Sequence, residues 1–239
     1  MRSKSGDSVN PARRASWPLT LSPGSRVARL SRKAPAVLRK LVAVTALAIA
    51  LPVSAAPLAY AEPVSRVTII DARGDMWRMP QDGPPLVAAP RQRRGDIRRT
   101  TIRHGVHAFN VRTQFSELAR RLQYQGFVIR VRTNAGVRRY ITIAAGKFGP
   151  RTFWRGFVSV ERPNGPDVDC AAAHRINYTT NVIRLRVPRS CLNDPQWVQA
   201  NVISLGEFGR PAAQSRAFFD NAHGPNRRLN DWSRRLHRP

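Results

Sequence analysis

Beyond residue 61 the chain holds a single lysine, Lys147, and over its whole length only two cysteines, three methionines and 14 acidic residues. Two cysteines exclude a cysteine-rich scaffold. The five histidines are scattered, and no Cys/His spacing matches a zinc site. There is no Gly-x-Ser-x-Gly elbow, no His-Glu-x-x-His pair and no phosphate-binding glycine loop ahead of a helix. Ser159, Asp169 and His174 occur without any spacing that marks a catalytic triad. The chain therefore reads as a binding protein rather than an enzyme. Helical periodicity is also scarce. Only Ser116–Gln123, with Leu118 and Leu122 at i, i+4 behind a Ser116 cap, has a helical pattern.

A long apolar run occurs once, from Leu41 to Ala61, where no residue is charged. It follows a basic cluster (Arg32, Lys33, Arg39, Lys40) and ends in Ala59-Tyr60-Ala61, the layout of a secretory signal cut between Ala61 and Glu62. A membrane anchor is the rival reading. Pro52 and Pro57 interrupt the run, and proline removes a helical hydrogen bond and clashes with the preceding turn. Residues 1–40, rich in Ser, Pro and Arg, show no apolar period and are expected to be a disordered basic extension. A domain over 62–220 and a polar basic tail over 221–239 follow, the tail ordered in part by Leu229, Trp232 and Leu236.

Export changes the meaning of the cysteines and of the charge. In an oxidising compartment Cys170 and Cys191 are expected to form a disulfide. Asp167 and Asp169 beside Cys170 disfavour a reactive thiolate. Residues 62–239 carry 31 basic against 13 acidic side chains, a net charge near +18 that is almost entirely arginine. Guanidinium forks match phosphates and carboxylates, so an anionic cell-envelope polymer or acidic polysaccharide is the expected partner class. No nucleic-acid module signature is present, and after signal cleavage no membrane contact is expected.

What remains is β pattern. Phe127, Ile129, Val131 and Thr133 alternate with Val128, Arg130 and Arg132; Ile183, Leu185 and Val187 alternate with Arg184 and Arg186. Period-two alternation sets one side on a core and the other in water. Further strands are expected at Val67–Asp71, Ile97–Arg103, Val106–Arg112, Arg139–Ile143, Phe153–Val160, Trp197–Ser204 and Ser215–Phe219. Turns fall at His104-Gly105, Asn134-Ala135-Gly136, Gly146 to Pro150 and Pro163 to Pro166. The fold class is all-β, an antiparallel sandwich or jelly roll with at most one short helix.

Three groups of residues could carry chemistry. Asp71 and Asp75 flank Gly74, Asp96 follows Gly95 and opens a strand, and Asp220 with Asn221 follows Phe218-Phe219. Carboxylates gathered on loops are what calcium needs, so Asp71, Asp75, Asp96 and Asp220 are the candidate metal ligands and calcium the candidate cofactor. The bland alternative is that each aspartate only caps a turn. Arg130, Arg132, Arg138, Arg184 and Arg186 would form a basic strip if they shared one sheet face. Trp77 and Tyr140 are candidate stacking rings for a sugar, whereas Trp154 and Trp197, in apolar runs, are expected in the core.

Asp71-x-x-Gly74-Asp75, then Asp96-Ile97 opening a strand, then Val106–Arg112, resembles the N-terminal part of family-nine-like carbohydrate-binding modules, over roughly Val67 to Arg132. That resemblance implies a secreted β-sandwich with structural calcium and sugar-binding aromatics. Val187 to Leu192, with Pro195-Gln196-Trp197-Val198 after it, resembles small exported actinobacterial proteins, which implies location and fold. The expected function is extracellular, non-catalytic binding of carbohydrate or anionic envelope polymer. The competing readings are an extracellular enzyme or enzyme accessory with a dispersed site, and a structural or inhibitory protein that binds another protein.

Overall fold

Alternating apolar residues along each strand can be buried only if two such faces meet, and this chain brings two sheets together to do so. The computed structural model describes residues 64–80, 85–120, 124–148, 150–208, 216–224 and 231–239. The extension 1–40, the stretch 41–61 and its cleavage position, and Leu229, lie outside the described residues. Among those described, no helix is long and apolar enough to cross a membrane.

Among the described residues there are thirteen strands: β1 (Arg66–Ile70), β2 (Trp77–Met79), β3 (Val87–Ala88), β4 (Ile97–His104), β5 (Ala108–Phe115), β6 (Tyr124–Thr133), β7 (Arg138–Phe148), β8 (Arg151–Glu161), β9 (Ala173–Asn177), β10 (Val182–Pro188), β11 (Trp197–Phe208), β12 (Arg216–Asn221) and β13 (Leu236–His237). One sheet runs β1-β4-β5-β10-β9. The other runs β3-β2-β12-β11-β6-β7-β8, with β13 paired to the start of β11. Pairing between strands is antiparallel throughout.

The inward faces interlock as one core. Ile102, Phe109, Val111, Leu185 and Val187 come from the first sheet, and Phe127, Ile129, Val131, Ile141, Val198 and Val202 from the second. Phe115 meets Phe127 edge to face across the gap, ring centres 5.7 Å apart. Burying each such side chain stabilises by about 1.5–3 kcal/mol. The sandwich expected from alternation is thus observed. The hairpin at Asn134-Ala135-Gly136 joins β6 to β7, with Gly136 at φ +71°.

The helix expected over Ser116–Gln123 is not formed in its described part, Ser116–Arg120. The Ser116 amide donates to the Asp96 carbonyl, Gly95 donates to the Glu117 carbonyl, and Leu118 donates to Asn181 Oδ1. These bonds, with Leu118 buried, hold the segment against β4 and the loop at Asn181, and the Glu117 carbonyl that a helix would use is taken by Gly95. The one helical turn among the described residues is a 3-10 helix, Arg189–Leu192. Cys191, in that turn, is joined to Cys170, after β8, by a disulfide with Cα atoms 5.7 Å apart. Closing a loop of this length stabilises by about 3 kcal/mol in the chain-entropy account.

The two margins of the sandwich differ. At one, β8 and β9 meet: His174 Nε2 lies 3.0 Å from the Arg155 carbonyl and the Tyr178 hydroxyl donates to the Trp154 carbonyl. At the other, the chain itself crosses between sheets twice. It passes from β1 to β2 through residues 71–76, and returns from β3 to β4 through residues 89–96. The aspartates are at this second margin.

Candidate functional site

Each crossing needs a sharp backbone turn, and glycine supplies it. Gly74 has φ +72°, and a Cβ there would stand 2.6 Å from the Pro90 carbonyl of the other crossing. Gly95 has φ +82°, and a Cβ there would stand 3.0 Å from Ser204 Oγ. The two crossings lie this close because no side chain separates them.

Asp71 immediately follows β1, Asp75 precedes β2, and Asp220 lies on β12. One carboxylate oxygen from each falls within 4.8 Å of the others. β12 extends beyond the expected strand, so Asp220 and Asn221 are within it rather than after it. Asp220 pairs with Ser204 on β11. That register places Asp220 inward with Ser204, between the sheets, where they are 1% exposed each. Asp220 accepts from the Ile97 amide at 2.6 Å and from the Asn221 amide at 2.8 Å. The first of these bonds ties β12 of one sheet to β4 of the other.

Asp71 accepts from the Ala72 amide through Oδ1. Its Oδ2, both carboxylate oxygens of Asp75, and Ser204 Oγ are buried without a hydrogen-bond partner. Asp96 differs. Its oxygens accept from the Gly74 amide at 3.3 Å and the Ser116 hydroxyl at 2.6 Å, bracing one crossing against the other. Of the four candidate ligands the structure gathers Asp71, Asp75 and Asp220, and keeps Asp96 beside them in a bracing role.

Among the described residues none of the three gathered aspartates has an ion pair with a basic side chain. Burial, then the charges of Asp220 and Asp75, push the Asp71 carboxyl up to about 9. Burial, with Asp75 and Asp96 nearby, pushes Asp220 up to about 7 despite the Ile97 bond. Asp75 is raised mainly by burial, and so is Asp96, against its hydrogen bonds and Arg73 and Arg93. Three carboxylates, two of them with oxygens that no hydrogen bond satisfies, repel one another in a partly dry site. Oxygen-only donors of this kind fit a hard divalent cation such as the calcium that the module resemblance implies.

The arginines divide between the two sheets. Arg184 and Arg186, on β10, lie on the outer face of the five-stranded sheet, while Arg130 and Arg132, on β6, and Arg138, on β7, lie on the other sheet. The five do not share a face, because β6 and β10 fall in different sheets despite their similar alternation. Arg130 and Arg132 instead stack over Trp232, at 5.3 and 4.5 Å, and Arg130 also lies 5.9 Å from the Tyr140 ring. Tyr140 and Trp232 therefore carry guanidinium groups over their rings. Trp77 is half-buried on β2, paired with Phe219 and Ala88. Trp154 and Trp197 are half-buried, not core; Trp197 lies under Arg235.

On the five-stranded sheet, cross-strand register assembles a wider patch than Arg184 and Arg186 alone. One row reads Thr68, Thr101, Arg112, Arg184, Arg175; the next reads Arg66, Arg103, Asn110, Arg186, Ala173. Arg99, on β4 opposite Ile70 at the end of β1, adds a seventh arginine. All seven are exposed, and none has an ion pair among the described residues. All but Arg99 line a shallow depression of about 500 Å³. Of the seven only Arg184 and Arg186 were read from the sequence as outward arginines; Arg175 lies on β9, where no strand was expected. The assembly of the seven was not legible, because register is a tertiary property.

Comparison with family models, with curated proteins and with solved structures finds no match in any of the three.

Proposed function

We propose that the chain is an exported, non-catalytic binding protein that holds an anionic polymer of the cell envelope on the outer face of its five-stranded sheet. One observation carries this reading: seven exposed arginines with no carboxylate among them across five strands. Like charges directly opposite one another on a sheet destabilise it. Arg184 stands between Arg112 and Arg175, and Arg103 beside Arg66. Such a face gains from a polyanion what it lacks within the chain. The disulfide and the apolar run ahead of Glu62 support an oxidising, extracellular setting.

Charge rather than ring stacking is the favoured basis of recognition, since Tyr140 and Trp232 are occupied by Arg130 and Arg132. Phosphodiester and polyuronate chains are the polymers that match. Retention of the protein on immobilised poly(glycerol phosphate), polygalacturonate and a neutral glucan tests the reading. Binding to the two anionic polymers is expected, weakening by at least about 100-fold between 50 and 200 mM salt as counterions are displaced. Retention on the neutral glucan that is indifferent to salt would instead support a sugar-stacking module.

A further inference from the structure

We propose that Asp71, Asp75 and Asp220 hold one calcium ion, with Ser204 Oγ as a fourth protein ligand, and that this ion ties the two sheets together where the chain crosses between them. The three carboxylates come from three separate places: the residue just after β1 of one sheet, the approach to β2, and β12 in the other. Their nearest oxygens lie within 4.8 Å, a span one ion bridges with bonds of about 2.3–2.6 Å.

Ser204 is the independent observation. It belongs to none of the crossings, lies on the central strand β11, is 1% exposed, and its hydroxyl has no partner. Strand register sets it directly across from Asp220 on the same inward face, and only the missing side chain of Gly95 leaves space beside its oxygen. A buried hydroxyl without a partner is costly in a core but useful as a neutral oxygen ligand. The donor set is entirely oxygen, with no histidine or cysteine, which disfavours zinc and copper. Four protein oxygens completed by water suit the flexible six-to-eight coordination of calcium better than the strict octahedron of magnesium.

Asp96 is left outside the set, because the 4.8 Å group of oxygens holds only the other three, while its own oxygens serve Gly74 and Ser116. Ligation thus falls to Asp75, whose oxygens have no donor, and bracing to Asp96.

The test uses the whole chain after chelation, titrated with calcium chloride and with magnesium chloride by calorimetry and thermal melting. Expected are one calcium per chain, binding at least about 10-fold tighter than magnesium, and a melting point raised by about 5–10 °C at calcium 100-fold above its Kd. Asp75→Ala removes its contact with the Asp71 carboxyl but leaves the bonds that Asp71, Asp96 and Asp220 make to backbone amides and to Ser116 intact. It is expected to keep the chelated melting point while weakening calcium at least about 100-fold. Ser204→Ala is expected to weaken it about 10-fold. Absence of millimolar calcium binding by the wild-type chain, equal binding by Asp75→Ala, or preference for magnesium would each overturn the assignment. None of these outcomes bears on polymer binding by the arginine face, which lies on the opposite side of the first sheet.

Discussion

Asp71→Asn is expected to make the chelated protein more stable at pH 9, by about 1–2 kcal/mol in chemical denaturation, although it removes a native side chain. The Asp71 carboxyl is pushed up to about 9 by burial and by Asp220 and Asp75. A carboxyl raised in the folded state keeps its proton there while the unfolded chain has lost it. Folding then loses stability as pH rises from the unfolded pKa near 3.8 through the folded one. Asparagine never ionises, still accepts from the Ala72 amide, and can donate to Asp75, whose oxygens lack a donor. The comparison is made between pH 7 and 9 for a reason. His104 and His223, both lowered mainly by burial, are neutral in the folded chain there and mostly neutral in the unfolded one, so their slope is small and of opposite sign, rising with pH. The wild-type chelated protein should lose more stability across it than the variant, in which Asp220, raised to about 7, gives a slope only near the lower end of the window. Equal slopes would mean that the aspartates are solvated rather than crowded.

Arg103→Glu combined with Arg184→Glu is expected to lower affinity for poly(glycerol phosphate) by about 100–1,000-fold at low salt while leaving the melting point unchanged or higher. Each glutamate enters beside arginines: position 184 between Arg112 and Arg175, position 103 beside Arg66. Opposite charges facing across strands stabilise by about 0.2–1 kcal/mol, where the native like charges cost a similar amount. Binding and stability should therefore move in opposite directions, which is the signature of a surface kept for a ligand. Arg151→Glu with Arg155→Glu changes net charge equally on β8, in the other sheet. A comparable affinity loss in that control would mean that net charge alone governs binding.

The strands and the aspartates were legible in the sequence for one reason: both depend on local pattern. Alternation marked the buried faces of β6 and β10, and each aspartate stood where a strand was expected to begin or end. The exception is instructive. Asp220 lies inside β12, and only its register against Ser204 shows that it faces inward. Ser204 itself carried no signal, since a serine in an alternating run looks like an ordinary strand residue. Leu118 and Leu122 suggested a helix, but Asp96, Asn181 and Gly95 engage the backbone around Leu118 in other ways. The arginines failed in the same manner. Arg130 and Arg184 have the same local surroundings in sequence, yet one covers Trp232 and the other joins a seven-arginine face, because strand order is not written in alternation.

The most direct measurement of the central claim is arginine-selective modification by a dicarbonyl reagent, read by mass spectrometry with and without saturating poly(glycerol phosphate) at low salt. Protection of Arg112, Arg175, Arg184 and Arg186 is expected, with Arg151 and Arg155 modified equally in both states. Protection spread evenly over both sheets, or confined to the sheet that carries Arg151 and Arg155, would contradict it.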